Sequence, residues 1–261
     1  MSTEPRQQRL VFGEVAELYD RFRPGYPDAA FDRIVEYGRL GAGDAVLELG
    51  CGTGRATLLL AAKGLSVTAL EPSAEMARLA TQKTVGLAGV AIVEASFEEW
   101  LLPEEPFRLV TSAQAWHWLQ PAVRFVKAHD ALRAQGPLAL IWNVATGIDA
   151  SDSLEEQIEE VYRRVAPGLA ARVPGEPDLD RRLEIEASGL FVDVERELYP
   201  WSITYSTEEY LGLLQTQSDH RLLEPDTREL LMTGIAEVLA DHGNALPQEY
   251  RTVLYLARRR P

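Results

Sequence analysis

Residues 46–60 read VLELGCGTGRATLLL, with Gly50, Gly52 and Gly54 at alternate positions directly behind an apolar run. Glycine at that spacing lets the chain turn sharply and bring its backbone against a ligand. A helix starting just behind such a loop adds free N–H groups and a partial positive charge, so the loop suits an anionic group. Two acids stand where they can complete the site: Glu48 inside the apolar run, and Glu71 at the end of the next one, in TALEPS. His117, in SAQAWHWL, is the candidate general base, because it falls where a later strand hands over to its loop. Tyr19, in LYDRFRPGYP, can close over a site from the N-terminal side. Cys51 is expected to be a small packing residue of the turn. The four histidines, 117, 129, 220 and 242, have no paired spacing, so no metal site is expected.

Two ligand classes compete for the glycine loop. A dinucleotide needs G-x-G-x-x-G/A, and the third position falls on Arg55 or Thr57 depending on the starting glycine. Neither allows the close helix approach that a pyrophosphate requires, which disfavours an NAD-dependent oxidoreductase. A phosphate-binding P-loop fails because no Gly-Lys-Ser/Thr follows. S-adenosylmethionine fits better. Its carboxylate suits the helix start, its ammonium and sulfonium suit an acidic surround, and a carboxylate at the position of Glu71 can take both ribose hydroxyls. It carries no phosphate, so the loop needs no lysine.

The residues VLELGCGTG and VTALEPSAEM closely resemble the first two motifs of class I S-adenosylmethionine-dependent methyltransferases. The resemblance implies a Rossmann-like doubly wound α/β sheet, mostly parallel with the last strand antiparallel, and S-adenosyl-L-methionine as cofactor. It implies a cofactor site made by Glu48, Gly50, Cys51, Gly52, Gly54, Glu71, Pro72 and Met76, continued by Ser96, Phe97, Ala113 and Gln114. The chain departs from the family's pattern in two places. EASFEEW (94–100) offers Ser96 and the Phe97 backbone where members often place an adenine-binding Asp, and FRLV has Arg108 where many have Asp. Together, SAQAWHWL and LYDRFRPGYP are similar to the branch that includes trans-aconitate methyltransferases and related small-molecule enzymes. The likeness spans roughly residues 10–145 and the closing strand. It implies methyl transfer to a small-molecule acceptor by in-line displacement, on oxygen, nitrogen or carbon, with His117 and Tyr19 as candidate catalytic residues. A carboxylate acceptor needs no base; a phenol, hydroxyl or activated carbon usually does. A cofactor-binding regulatory protein without turnover remains the non-enzyme alternative.

These residues need a scaffold, and the hydrophobic pattern supplies one. AVLEL (45–49), SVTALE (66–71), VAIVE (90–94), RLVTS (108–112) and LALIWN (138–143) read as strands. Helices are expected at 27–38, from Arg55 to Lys63, behind a Ser73 cap, and over PAVRFVKAHDALRAQG from Pro121 to Gly136. Strand and helix in that rhythm make a parallel sheet covered on both faces. After residue 143 the rhythm breaks. Helices are expected at 153–166, 178–190, behind a Ser206–Glu209 capping box and at 225–241, with strands at 191–206 and 249–259. The chain therefore reads as one domain over 1–261, with an N-terminal helical cap at 10–38 and helical lid insertions at 145–180 and 206–245. Trp201, Tyr205, Tyr210, His220 and Arg221 are the lid's candidate substrate-wall residues.

The 261 residues are 46% hydrophobic and carry a formal charge of −14, a field that repels a phosphate backbone and argues against nucleic acid as partner. Cys51 is the single cysteine, so no intrachain disulfide forms. The polar start MSTEPRQQRL is no secretory signal, and no apolar run approaches a membrane span. A cytoplasmic protein without membrane contact is the expectation; the pattern leaves its oligomeric state open.

Overall fold

The computed structural model describes residues 15–148, 152–170 and 181–261. Seven strands run β1 Ala45–Leu49, β2 Ser66–Glu71, β3 Val90–Glu94, β4 Leu109–Ala113, β5 Pro137–Ile148, β6 Phe191–Ser206 and β7 Ala245–Arg259. The helices are α1 Ala16–Phe22, α2 Asp28–Gly38, α3 Arg55–Ala62, α4 Ala74–Thr84, α5 Pro121–Ala131 and α6 Asp152–Val165. They continue with α7 Pro167–Ala170, α8 Arg181–Ala187, α9 Thr207–Gln215, α10 Ser218–Arg221 and α11 Pro225–Asp241.

The strands form one sheet in the order β3-β2-β1-β4-β5-β7-β6. The pairings from β3 through β5 are parallel, while β7 runs antiparallel to both β5 and β6. The architecture is the Rossmann-like one expected, with β7 as the reversed strand. Its central strands are continuous apolar runs because helices cover both faces. Alternate side chains then serve two separate cores. Val46, Leu109 and Ile141 pack on one side with Phe31, Ile34 and Leu60. Leu47, Leu49, Val110 and Leu140 pack on the other with Trp116 and Phe125.

β5, β7 and β6 are 12, 15 and 16 residues long, against five or six for the other strands. The last pairing of β5 with β4 joins Ile141 to Ala113, yet β5 continues against β7 to Ile148. The excess rises beyond the carboxyl edge of the parallel strands and carries a third core. There Leu154 and Ile158 of α6, Leu213 of α9 and Ile235 of α11 close around Phe22, Tyr205 and Leu246. Helices that could not bury their apolar sides alone thus make a roof over one end of the sheet.

Several boundaries differ from the sequence expectation. The helix over Pro121–Gly136 stops at Ala131, because the chain turns to pair Leu132 with Phe107 and the Phe107 N–H takes the Ala131 carbonyl at 2.8 Å. Gly136 lies in the turn that follows. The insertion expected from 145 begins only after Ile148, since β5 outruns its 138–143 prediction. The closing strand starts at Ala245 rather than 249, for the same reason: the two strands extend each other. Pro200 sits in β6, an edge strand, where a residue without an N–H is tolerated. Of the cap expected from residue 10 and the helix expected at 178–190, the described parts begin with Ala16–Phe22 and Arg181–Ala187; residues 10–14 and 178–180 lie outside the described residues. Among the described residues no helix is long and apolar enough to cross a membrane.

Candidate active site

A cavity of about 460 Å³ lies where the ends of β1, β2, β4 and β5 meet the helical roof. Its floor is the glycine loop. Gly50 has φ 69° and Gly52 φ 56°, both left-handed. A Cβ on Gly50 would stand 2.4 Å from the Ala115 Cβ, so a side chain there collides with the loop after β4. A Cβ on Gly52 would meet nothing within 4 Å, because that residue faces the open cavity. Gly54, also left-handed, is the N-cap of α3. The loop is strapped to the neighbouring strand by the Gly50 and Cys51 N–H groups, which both donate to the Leu70 carbonyl.

Glu71 ends β2 and lines the cavity. Its Oε2 accepts the Gly52 N–H at 2.8 Å and its Oε1 accepts the Ser73 N–H at 2.9 Å. Two backbone donors thus lock the carboxylate across the loop. Glu48 behaves differently. It is buried behind the loop, where its Oε2 accepts from the Thr57 hydroxyl at 2.6 Å and its Oε1 has no partner. Burial pushes its pKa up to about 7, against the Thr57 bond and with help from the Glu71 charge. Cys51 is buried too, and burial holds its thiol well above its ordinary value, so it is a packing residue of the turn.

Of the residues expected at the cofactor, Gly50, Gly52, Glu71, Pro72, Met76, Ser96, Phe97, Ala113 and Gln114 line the cavity. Glu48, Cys51 and Gly54 stand behind the wall as its support. Gln114 is in the left-handed region at φ 59°, a conformation that non-glycine residues seldom hold without a reason. Its N–H bonds the Ile141 carbonyl and its side-chain amide donates to the Asn143 carbonyl at 3.0 Å.

The other end of the cavity is built from distant parts of the chain. α1 is latched to the glycine loop through Asp20, whose carboxylate accepts from the Thr53 hydroxyl and from Lys83, each at 2.6 Å. Burial alone raises the Asp20 pKa, but these two bonds outweigh it and hold the carboxyl below its ordinary value. Arg55 donates to the Asp20 carbonyl. Arg23 clamps α1 to α9, donating through Nε to the Thr216 hydroxyl at 2.8 Å and through Nη2 to the Thr216 carbonyl at 2.9 Å. Asn143 donates to the Gly25 carbonyl at 2.7 Å while accepting from Thr252. Tyr19 and Tyr26 complete this side of the wall.

His117 also lines the cavity, in a single 3-10 turn, Trp116–Trp118. Trp142 Nε1 donates to its Nδ1 at 3.3 Å, and its ring lies 4.7 Å from that of Trp118. His117 is exposed on its cavity side, so only the protein on its other sides desolvates it; that, followed by the charges of Arg181 and Arg124, lowers its pKa to about 4.

The candidate lid aromatics are brought together, though not at the cavity. Tyr205 and Tyr210 are buried in the third core, and Trp201 stacks on Tyr250 with centroids 4.7 Å apart. His220 is buried between Tyr162 and Asp219. Tyr250 and Asp219, which no local pattern singles out, line the cavity in their place, as do Arg55, Trp118 and Asn143.

A methyltransferase-domain family pattern matches residues 46–136, the span from β1 to the turn before β5. Uncharacterized methyltransferases of Mycobacterium bovis and Mycobacterium tuberculosis are each 30% identical to this chain, over 97% of it and 97% of theirs. A solved structure from Anaeromyxobacter dehalogenans, described as a type II methyltransferase, superposes with a TM-score of 0.64 at 22% identity, covering 92% of this chain and 99% of that one. A Haemonchus contortus phosphoethanolamine N-methyltransferase, solved with S-adenosyl-L-methionine, superposes at 0.56 and 17% identity, over 95% of this chain and 57% of its own. The chain belongs to the class I S-adenosylmethionine-dependent methyltransferases. It is a methyltransferase enzyme, and the choice between methyl and hydride transfer falls to the former.

Proposed function

We propose that this enzyme methylates a small molecule held between the glycine loop and the helical roof. One observation carries the reading: the Glu71 carboxylate is fixed by the Gly52 N–H at the floor of a cavity into which Gly52 opens. The donor set fits the cofactor. A left-handed loop at a helix start suits its carboxylate, Glu71 suits its ribose diol, and the buried Glu48, raised toward neutrality by its surroundings, is a carboxyl that a nearby cationic group would drive back to its charged form. Met76 and Phe97 offer apolar surface for a base, beside Ser96. When bound, the cofactor supplies a methyl group already activated on a sulfonium.

The chain's own part is to bind, align and keep water out. α1, with the loop up to α2, and α9 act as a cap over the acceptor end. Their clamps, Arg23 to Thr216 and Asp20 to Thr53, join the roof to the loop. A cavity of about 460 Å³ under such a roof suits a small ligand better than a folded macromolecule. Tyr19, Tyr26, Trp118 and Tyr250 make its acceptor end rich in aromatic surface.

Calorimetry with S-adenosylhomocysteine is expected to show tight binding that Gly52→Val abolishes. Tritiated methyl transfer into a cell extract, with products separated by size, is expected to label a low-mass fraction. Label only in macromolecules overturns the small-molecule reading, and absence of binding overturns the cofactor site.

A further inference from the structure

His117 looks at first like the base of the reaction, but its surroundings assign it the opposite role. An indole N–H donates and never accepts, so Nδ1 of His117, facing Trp142 Nε1 at 3.3 Å, must be the bare nitrogen of the ring. The remaining proton of a neutral imidazole then sits on Nε2. Trp142 cannot easily yield this position. It is buried in β5, its ring edge-on to Tyr255 at 6.0 Å between centroids, and the Arg181 guanidinium lies 5.3 Å from its centroid.

Cations stand behind the histidine on two elements. Arg124 of α5 is buried, donates to the Trp116 carbonyl at 3.2 Å and pairs with Glu184. Arg181, the first described residue of α8, reaches the other oxygen of the same Glu184 at 3.0 Å. Two guanidiniums share one carboxylate, so the charge facing the ring is positive and opposes a second proton on it. A general base has to gain exactly that proton. Desolvation by the protein around the ring and the two arginines act in the same direction on its titration.

We propose that His117 is a fixed Nε2–H donor to a hydrogen-bond-accepting oxygen of the methyl acceptor, positioned by Trp142, and that it takes no proton during methyl transfer. The inference rests on the methyl-transfer reading for its ligand and on the Trp142–His117–Arg181 arrangement for its chemistry. As the new bond to the methyl carbon forms and the bond to sulfur breaks, the sulfur keeps the bonding pair, and His117 holds the acceptor without changing its own charge. The acceptor is then a molecule whose attacking atom needs no deprotonation by this histidine. Trp142 is a positioning residue.

The test is long-range proton–nitrogen NMR of the full chain labelled with ¹⁵N, which reports the tautomer of each ring directly. The chain has four histidines, and His117→Gln identifies the signals of interest by their disappearance. At pH 7 the expected pattern is a protonated Nε2 with a bare Nδ1, unchanged on acidification to about pH 5. Trp142→Phe is expected to blend the two tautomers, and Arg181→Gln to move the titration of this ring upward in pH. An Nδ1–H tautomer, or a ring that protonates near pH 6.5, overturns the proposal. The wild-type spectrum decides even if a variant does not fold, and it needs neither cofactor nor acceptor, so its failure is separate from failure of the methyl-transfer reading. With an acceptor in hand, His117→Gln keeps an N–H but accepts no proton. It is expected to hold kcat within roughly 10-fold, while His117→Ala loses roughly 100-fold or more. Equal loss in both variants restores the base.

Discussion

The two ends of the cavity are held by different kinds of contact. At the floor, the partners are near neighbours in sequence: Gly52 and Glu71 are 19 residues apart, Glu71 and Ser73 two, Thr57 and Glu48 nine. At the roof, they are far apart in sequence: Arg23 meets Thr216 across 193 residues, Arg21 meets Glu208 across 187, and Asn143 meets Gly25 across 118. The floor is a property of one β-loop-α-β unit, with backbone groups as its main donors. The roof exists only once β5, β7 and β6 have paired over their full length. A unit of the first kind can serve many acceptors unchanged, whereas the second can be rebuilt without disturbing the floor.

Substitutions can separate the two ends. The largest effect is expected at Gly50→Val, which places a β-branched residue at φ 69° with its Cβ 2.4 Å from that of Ala115. Strain and overpacking together cost about 2–5 kcal/mol, and the thermal midpoint and S-adenosylhomocysteine affinity should fall together. Glu71→Ala comes next. It leaves the Gly52 and Ser73 N–H groups without their acceptor, and calorimetry should show cofactor affinity reduced roughly 100-fold. The same loss is not expected at the roof. Arg23→Ala removes the α1–α9 clamp and should raise KM for the acceptor roughly 10-fold while changing S-adenosylhomocysteine affinity little. Equal effects on both ligands would show that floor and roof are one cooperative unit.

Glu48 sharpens the comparison through pH. Its folded pKa of about 7 stands above its ordinary 4.5, so the folded chain holds a proton that the unfolded chain releases in between. The stability this contributes is fully present below pH 4.5 and is lost as pH rises through 7. Glu48→Gln should therefore match the wild type near pH 4.5 and exceed it in thermal midpoint by pH 8. A gap that narrows with rising pH would remove the buried, uncompensated carboxylate from the account. The smallest effect is expected for Arg21→Ala, since its 2.7 Å pair with Glu208 is exposed on both sides; chemical denaturation should register no more than about 0.5 kcal/mol.

The sequence by itself determined the floor and, in the roof, the extent of β6 and the start of α9. β1, β2, β3 and β6 fall on the residues their patterns indicate, and so do the Ser73 and Ser206 caps, because apolar alternation and capping are local properties of the chain. The acids Glu48 and Glu71 were legible from their strand positions, but not that one lines the cavity and the other backs it, which depends on what packs against each. Only the tertiary structure decided the acceptor end. Tyr250 and Asp219 carry no local signal; Tyr250 reaches the cavity because β7 pairs with β5, setting it opposite Ala145, and Asp219 because α10 packs behind α9 in the roof. His117 shows the limit most plainly. Its type and place suggested a base, and a tryptophan 25 residues on, with an arginine beyond it, made it a donor, because the proton on an imidazole is set by whatever faces the ring.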